Sequence, residues 1–133
     1  MPKLDIACII DDDQLFTYVL SKHMKLLDFS EKTLIFQNGL EALNYLQQNV
    51  RSPHMLPSVI LLDINMPVLD GWQFLDAFTR LRIGKKVTVF LISSSIDHAD
   101  HARVMEYKEV SRFYVKPVTR ENLLSILHEV TAK

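Results

Sequence analysis

The stretch Leu61–Leu75, LLDINMPVLDGWQFL, decides how this chain folds. It begins inside the apolar run Val59–Leu62, which has the length of a buried strand, and one carboxylate, Asp63, follows that run directly. A loop containing Pro67 comes next, and the apolar residues of Trp72–Leu81 then recur at helical spacing. One short segment therefore predicts a strand, an acidic residue at its end, a loop and a helix.

The same alternation continues on both sides of this segment. Four further apolar runs predict strands, and four segments of helical spacing predict helices. The strands are Ile6–Ile10, Leu34–Phe36, Val87–Ile92 and Phe113–Val115, and the helices are Leu15–Leu27, Leu40–Leu46, Ala99–Val110 and Leu123–Val130. Strands that are apolar throughout are typical of a parallel sheet covered on both faces. We therefore predict an α/β domain with a doubly wound, five-stranded parallel sheet between two layers of helices.

The first predicted helix is expected to turn one apolar face to the sheet. That face would consist of Leu15, Phe16, Val19, Leu20, Met24 and Leu27, which recur at helical spacing.

Length and composition agree with one domain covering residues 1–133. The chain is 48% hydrophobic and has a formal net charge of −1, so a core is available and nucleic acid is not an expected partner. Cys8 has no second cysteine to pair with, so we expect it to be a small buried residue of the core and the protein to belong to a reducing compartment. No apolar run approaches the ~20 residues that span a bilayer, and no signal peptide is apparent. The expected location is the cytoplasm, without membrane attachment.

Polar side chains follow four of the five predicted strands. Asp11 and Asp12 come after the first strand, Asp63 after the third, Ser93 after the fourth and Lys116 after the fifth. The carboxyl ends of the strands in such a sheet meet where ligands bind, so we expect these groups to lie close together.

Carboxylates gathered at one edge of a sheet need a counter-charge. Two unit charges 4 Å apart repel by about 4 kcal/mol at an effective dielectric of 20. A divalent cation removes this repulsion, and a site of oxygen ligands with few protein contacts suits Mg²⁺, which keeps several waters and shares its coordination with phosphate. A nucleophilic carboxylate, a carboxylate pair for a metal, a hydroxyl donor and a lysine are the parts that phosphoryl transfer to an aspartate requires. The sequence therefore predicts a Mg²⁺-assisted phosphoryl-transfer site.

The chain resembles the receiver domain of two-component response regulators from about Leu4 to its end. The resemblance rests on IIDDDQLF (9–16), on LLDINMPVLDGWQFL (61–75), on SSS (93–95) and on VKP (115–117), in that order and spacing. It implies the flavodoxin-like receiver fold, with strand order 2-1-3-4-5 and five helices.

The resemblance also implies a role for each site residue. Asp63 would be the phosphorylated aspartate, while Ser93 and Lys116 would contact the phosphoryl group. Mg²⁺ would be held by Asp12 directly, by Asp11 through a water, by Asp63 and by the backbone carbonyl of Asn65. The Lys116–Pro117 peptide is commonly cis in relatives.

Ser93 and Phe113 would form the switch that responds to phosphorylation. Phe113 matches an aromatic residue that changes rotamer on activation, although an aromatic residue in a strand can equally serve packing alone. The chain departs from the common pattern in two places, since no glycine precedes the fifth strand and Ser95 is small and uncharged. These departures concern the lifetime of the phosphorylated state and the details of the switch.

The implied partners are proteins. A sensor histidine kinase or a histidine phosphotransfer protein would donate the phosphoryl group, and a downstream target protein would recognise the result. The chain would not be an enzyme beyond its own phosphotransfer and dephosphorylation. With few residues after the last helix, no effector domain is expected, and the protein would act as a monomer or as a phosphorylation-dependent dimer.

Three other functions compete with this interpretation. A haloacid dehalogenase-type hydrolase needs a second aspartate where Asn65 stands, and a flavodoxin-type cofactor carrier needs a Gly-rich phosphate loop after the first strand. A pseudo-receiver, which binds partners without being phosphorylated, usually lacks one of the acidic residues or the lysine, and all are present here.

Individual residues also have simpler structural explanations. Asp13 is expected to cap the first helix, Ser93 could cap a later one, and Lys116 could be a solvated loop residue. His98 and His101 fit an exposed helix surface better than a metal pair, because no third ligand is near in sequence.

Overall fold

A computed structural model describes residues 3–132, and these form a five-stranded sheet with five α-helices. The strands are β1 Leu4–Ile10, β2 Ser30–Phe36, β3 Val59–Asp63, β4 Thr88–Ser93 and β5 Val110–Val115. The helices are α1 Gln14–Leu26, α2 Gly39–Gln48, α3 Gly71–Phe78, α4 His98–Val104 and α5 Arg120–Thr131, with a 3₁₀ turn at Pro53–Met55. All strand pairs are parallel and the order is β2-β1-β3-β4-β5, which confirms the predicted fold.

The sheet divides the core into two clusters. In β1, Cys8 and Ile10 pack on the side of α2 and α3, while Ala7 and Ile9 pack on the side of α1 and α5. β3 and β4 alternate in the same way, so the central strands are buried on both faces. Fully burying an aliphatic side chain contributes about 1.5–3 kcal/mol, and this double burial holds the ends of the central strands in place.

The strand register aligns the functional ends. Asp63 pairs with Ile92 in β4, and Ser93 pairs with Val115 in β5, immediately before Lys116. The order of strands reverses between β1 and β3, and Asp11 lies just beyond the end of β1. The carboxyl ends of four strands therefore meet near the topological switch point.

Several predicted elements have different bounds in the structure. The third helix ends at Phe78 rather than at Leu81, the fifth begins at Arg120 rather than at Leu123, and β5 begins three residues before Phe113. β2 begins at Ser30 rather than at Leu34, because an edge strand tolerates the exposed polar residues Glu31 and Lys32. The fourth helix, predicted to reach Val110, ends at Val104, and Val110 instead begins β5 beside Val89. Apolar spacing over so short a segment did not separate the end of a helix from the start of a strand.

The predicted apolar face of α1 is also partly wrong. Leu20 and Met24 are buried as expected, but Leu15 is 73% exposed and Val19 is 43% exposed. Thr17 takes a buried position in their place. The apolar residues of this helix form two stripes on opposite sides of the cylinder, and only one of them faces the sheet.

The loop after β3 contains a strained backbone. Val68 has φ 71°, in the left-handed region that β-branched residues rarely adopt, and its side chain is 83% exposed. Asn adopts this conformation more easily, so we expect Val68→Asn to raise the free energy of unfolding by about 1 kcal/mol. Urea unfolding measures this directly. The control is Val19→Asn in α1, because valine and asparagine have similar helix propensities and little change in stability is expected there. Equal effects of both substitutions would contradict backbone strain at Val68.

None of the described helices is both long and apolar enough to cross a membrane.

Candidate functional site

Three carboxylates converge where the first and third strands end. Asp11 and Asp63 are buried and Asp12 is exposed, and one oxygen of each lies within 4.8 Å of the others. Among residues 3–132 these are the one group of three or more acidic, histidine or cysteine side chains spaced to hold a metal ion. The structure thus brings together the carboxylates that the strand ends predicted.

Lys116 joins this group from the end of β5. Its Nζ lies 2.8 Å from Oδ2 of Asp11 and 3.7 Å from Oδ2 of Asp63, and most of its side chain is buried. Burial lowers the pKa of Lys116, but the Asp11 and Asp63 carboxylates raise it by a larger amount. The pKa of Lys116 therefore lies above its ordinary value. Lys116 is therefore a charged group of the site rather than a solvated loop residue.

Asp63 is the carboxylate with the most perturbed ionisation. Burial and the neighbouring charge of Asp11 raise its pKa to about 6, while Lys116 and the backbone N–H of Asn65 oppose this increase. The N–H of Asn65 donates to Oδ1 of Asp63 over 3.3 Å. A buried carboxylate beside a second carboxylate and a lysine is typical of a functional site.

The raised pKa of Asp63 predicts that its charge lowers the free energy of unfolding of the metal-free protein, by an amount that depends on pH. Asp63 titrates near pH 6 when folded, against about 3.8 ordinarily, so the folded state binds more protons between these values and stability falls as pH rises through this window. Asp63→Asn should therefore raise the free energy of unfolding at pH 7 by about 1–3 kcal/mol, and most of this gain should be lost at pH 4.

Chemical unfolding with EDTA at pH 4 and pH 7 measures this difference. The exposed β1 residue Asp5 offers a matched control, and Asp5→Asn should show little change at either pH. A destabilised Asp63→Asn at pH 7 would contradict the predicted cost of the buried charge.

The donors of this site fit a hard divalent cation. Oδ1 of Asp11 accepts the backbone N–H of Asp13 over 2.9 Å, but its buried Oδ2 has no hydrogen-bond partner. That oxygen instead forms an ion pair with the Lys116 ammonium, in a geometry that does not meet the angles of a hydrogen bond. Three carboxylates this close together, with Lys116 as the cation beside them, offer the oxygen ligands that Mg²⁺ prefers.

Asp13 serves the helix rather than the carboxylate cluster. Its Oδ1 accepts the N–H of Phe16 over 3.0 Å at the start of α1, which confirms the predicted cap.

Ser93 is held inside the site and does not cap a helix. Its hydroxyl donates to the carbonyl of Ser95 over 2.7 Å, and the residue that caps α4 is Asp97. The side-chain amide of Asn65 makes a long contact of 3.5 Å with Ser93 Oγ. Sequence reasoning assigned only a backbone role to Asn65, because a contact between residues 28 positions apart has no local signal.

Gly71 is a second residue whose importance the sequence did not reveal. A Cβ on Gly71 would lie 2.8 Å from the carbonyl oxygen of Asp63 and 2.8 Å from Cα of Ile64. The N–H of Gly71 donates to the carbonyl of Ile64 over 2.8 Å, so the start of α3 lies directly against the end of β3. The Asp-Gly pair in the sequence was the available signal.

Phe113 and the two histidines lie to one side of the carboxylates. Phe113 is half-buried, and its ring centroid lies 5.4 Å from that of His101 in an edge-on arrangement. His98 and His101 are both exposed, in agreement with an ordinary helix surface. The Lys116–Pro117 peptide is cis. Whether Phe113 changes rotamer stays a prediction.

A cavity of about 710 Å³ lies at the amino-terminal ends of the strands. Leu4, Thr88 and Lys108 are among its lining residues, and Leu4 and Thr88 begin their strands. The length of the strands therefore separates this cavity from the carboxylates.

The fold and the acidic strand ends define a flavodoxin-like domain of the receiver type. The family model of the response regulator receiver domain matches residues 7–128, and the chain belongs to this family. Receiver domains act in two-component signalling, generally as switches rather than as catalysts, and they interact with histidine kinases or phosphotransfer proteins and with downstream targets.

Solved structures share this fold. The structure of a two-component response regulator from Cytophaga hutchinsonii is 29% identical, with a TM-score of 0.88 and coverage of 97% of this chain and 98% of that one. The receiver domain of sensor histidine kinase PA1611 from Pseudomonas aeruginosa is 18% identical, with a TM-score of 0.77 and coverage of 96% and 98%. That structure contains a magnesium ion coordinated in its active-site cleft.

Curated relatives differ in length from this chain. FilR2 of Methanothrix harundinacea, named as a probable methanogenesis regulatory protein, is 23% identical over 125 residues, covering 94% of this chain and 80% of the relative. Sensor histidine kinase CheAY of Helicobacter pylori is 27% identical over 122 residues, covering 92% of this chain but only 14% of the relative.

Proposed function

We propose that this protein is a phosphoryl-accepting signalling switch, in which Asp63 receives a phosphoryl group from a phosphohistidine on a donor protein. One observation carries the proposal: the buried Asp63 carboxylate lies 3.7 Å from the Lys116 ammonium and beside Asp11 and Asp12, at the carboxyl edge of the sheet. A nucleophile, a fixed positive charge and a set of metal-binding oxygens are the groups that phosphoryl transfer to a carboxylate needs.

The positions of these groups support the following transfer. A carboxylate oxygen of Asp63 forms a bond to phosphorus while the bond from phosphorus to the donor imidazole nitrogen breaks. That nitrogen takes the electron pair and then a proton, and Asp63 becomes an acyl phosphate. Lys116 neutralises charge on the transferring oxygens, at a position fixed before the donor arrives. Hydrolysis of the acyl phosphate restores the free carboxylate.

Mg²⁺ is the proposed cofactor. Asp12 would bind it directly, Asp11 through a water, and Asp63 and the Asn65 backbone carbonyl would complete the protein ligands. The ion would neutralise the phosphoryl oxygens and relieve the repulsion between the three carboxylates.

The proposed switch involves Ser93 and Phe113. Ser93 now donates to the Ser95 carbonyl, and a phosphoryl oxygen on Asp63 would offer its hydroxyl a charged acceptor instead. Movement of Ser93 would leave room for Phe113, whose half-buried ring borders α4. The face formed by α4, β5 and α5 would then change its affinity for a target protein or for a second copy of the chain.

Several expectations of the sequence belong to the same proposal. The chain would act as a single receiver domain over residues 1–133, with no catalytic activity beyond its own phosphorylation and dephosphorylation. Its donor would be a sensor histidine kinase or a histidine phosphotransfer protein, and its location in the cytoplasm stays a prediction.

The direct test uses a small phosphodonor in place of the protein donor. Wild-type protein incubated with acetyl phosphate and Mg²⁺ should gain the mass of one phosphoryl group, and EDTA should prevent the gain. An unchanged mass with both acetyl phosphate and a histidine-phosphorylated donor protein would instead favour the pseudo-receiver.

Metal binding can be tested apart from phosphorylation. Because Asp12 is a proposed direct ligand, Asp12→Ala should weaken Mg²⁺ binding by at least about tenfold, measured as the shift of the unfolding midpoint on Mg²⁺ titration. Asp13→Ala is the matched control, since it removes a neighbouring charge that caps α1. It should cost about 1 kcal/mol of stability but preserve Mg²⁺ affinity. Equal weakening in both variants would show that only the total negative charge matters.

A further inference from the structure

The ring of Phe16 contacts the ammonium of Lys116. Nζ of Lys116 lies 4.4 Å from the ring centroid, within the range of a cation–π interaction. The same nitrogen lies 2.8 Å from Asp11 and 3.7 Å from Asp63. The lysine therefore has two carboxylates and one aromatic ring as neighbours, and its side chain is largely buried among them.

A closed series of contacts fixes the position of this ring. The N–H of Asp13 donates to Oδ1 of Asp11 over 2.9 Å, and the N–H of Phe16 donates to Oδ1 of Asp13 over 3.0 Å. The series returns from the Phe16 ring to Lys116 and from Lys116 to Asp11. Phe16 is half-buried in the first turn of α1 and packs against the core on that side of the sheet. The acidic loop, the start of α1 and the lysine after β5 are thus one connected unit.

Asp11 and Phe16 differ in how they respond to a metal ion. The nearest partner of Lys116 is Oδ2 of Asp11, and this carboxylate belongs to the group suited to a divalent cation. An ion there competes with Lys116 for the negative charge of Asp11. A benzene ring offers no oxygen to Mg²⁺, so its contact with Lys116 does not depend on the metal.

We propose that Phe16 is a positioning residue, whose ring holds the Lys116 ammonium beside Asp63 when Mg²⁺ draws on the Asp11 carboxylate. This inference rests on the proposed function, because it assigns to Lys116 the neutralisation of the incoming phosphoryl group. Phe16 itself touches neither the phosphoryl group nor the metal, and it acts only through the lysine.

Two substitutions separate the ring from the volume of the side chain. Phe16→Leu keeps an apolar residue but removes the ring, and it should slow uptake from acetyl phosphate with Mg²⁺ by roughly three- to thirtyfold. Phe16→Tyr keeps the ring and should restore most of the rate.

Tyr18 supplies the matched control, because its exposed ring on the same helix lies 5.3 Å from Nζ of a different lysine, Lys22. Tyr18→Leu should leave uptake from the small donor unchanged.

A double-mutant cycle distinguishes positioning from general stabilisation. In a Lys116→Ala background, Phe16→Leu should have no further effect on the rate, because the group on which the ring acts is gone. An equal slowing in both backgrounds would overturn the proposal and leave Phe16 a packing residue. So would a Phe16→Tyr variant as slow as Phe16→Leu.

The contact between Phe16 and Lys116 can also be detected by NMR in the unphosphorylated protein. Ring currents should displace the ε-methylene proton resonances of Lys116 upfield, with and without Mg²⁺, in wild type and in Phe16→Tyr but not in Phe16→Leu. Unchanged Lys116 resonances in folded Phe16→Leu would overturn the inference. If wild type accepts no phosphoryl group, the proposed function fails, whereas the Lys116 resonances still decide whether the ring holds the lysine in the metal-bound protein.

Discussion

Asp63→Asn is expected to abolish phosphoryl uptake from acetyl phosphate. The amide has nearly the same shape as the carboxylate but lacks the nucleophilic oxygen, so the rate should fall by on the order of a hundredfold or more. Intact mass after incubation with Mg²⁺ and donor measures this loss.

Misfolding would not explain such a loss. Removal of a buried charge whose pKa is raised to about 6 should make Asp63→Asn more stable than wild type at neutral pH, so the variant is expected to be inactive and more stable at once. Asp5→Asn, the same change at an exposed position of β1, should be phosphorylated like wild type. A phosphoryl gain that persists in Asp63→Asn would mean that another residue is the acceptor.

Gly71→Ala should give the second large effect. The added Cβ would lie 2.8 Å from both the Asp63 carbonyl oxygen and Ile64 Cα, and these backbone atoms cannot move aside as a flexible side chain would. We expect a loss of about 1–3 kcal/mol in the free energy of unfolding, although Gly→Ala within a helix ordinarily stabilises. Displacement of Asp63 by even part of an ångström should also slow phosphoryl uptake, by up to about a hundredfold.

Gly84 provides the control for this substitution. A Cβ at Gly84 meets no atom within 4 Å, and its φ is not positive. Gly84→Ala should therefore be neutral or should stabilise by up to about 1 kcal/mol, through the unfolded chain, with uptake unchanged. Urea unfolding and the mass assay compare the two variants directly, and a Gly71→Ala protein as stable and as active as Gly84→Ala would contradict the close approach.

Much of the fold could be predicted because its signals are local. Strands buried on both faces are apolar throughout, and Val59–Leu62 and Val87–Ile92 were placed to within one residue at each end. The edge strand β2 and the boundary between α4 and β5 were placed less well, because partial exposure weakens the apolar pattern there. The exposure of Leu15 and Val19 was missed for a related reason, since a helix with two apolar stripes does not reveal which stripe faces the sheet.

The sequence by itself determined that Asp11, Asp12, Asp63, Ser93 and Lys116 follow the ends of predicted strands. Parallel strands end at a common edge of the sheet, so the residues that follow Ile10, Leu62, Ile92 and Val115 had to lie along that edge, regardless of the loop conformations.

The tertiary structure alone decided how these groups meet. The pairing of Lys116 with Asp11, the contact of Asn65 with Ser93 and the approach of Gly71 to the Asp63 backbone join residues from separate elements. The contact of the Phe16 ring with Lys116 is likewise a contact between separate elements, since the two residues are 100 positions apart. Distances, burial and charge coupling depend on strand register and helix packing, and no local pattern in the sequence specifies them.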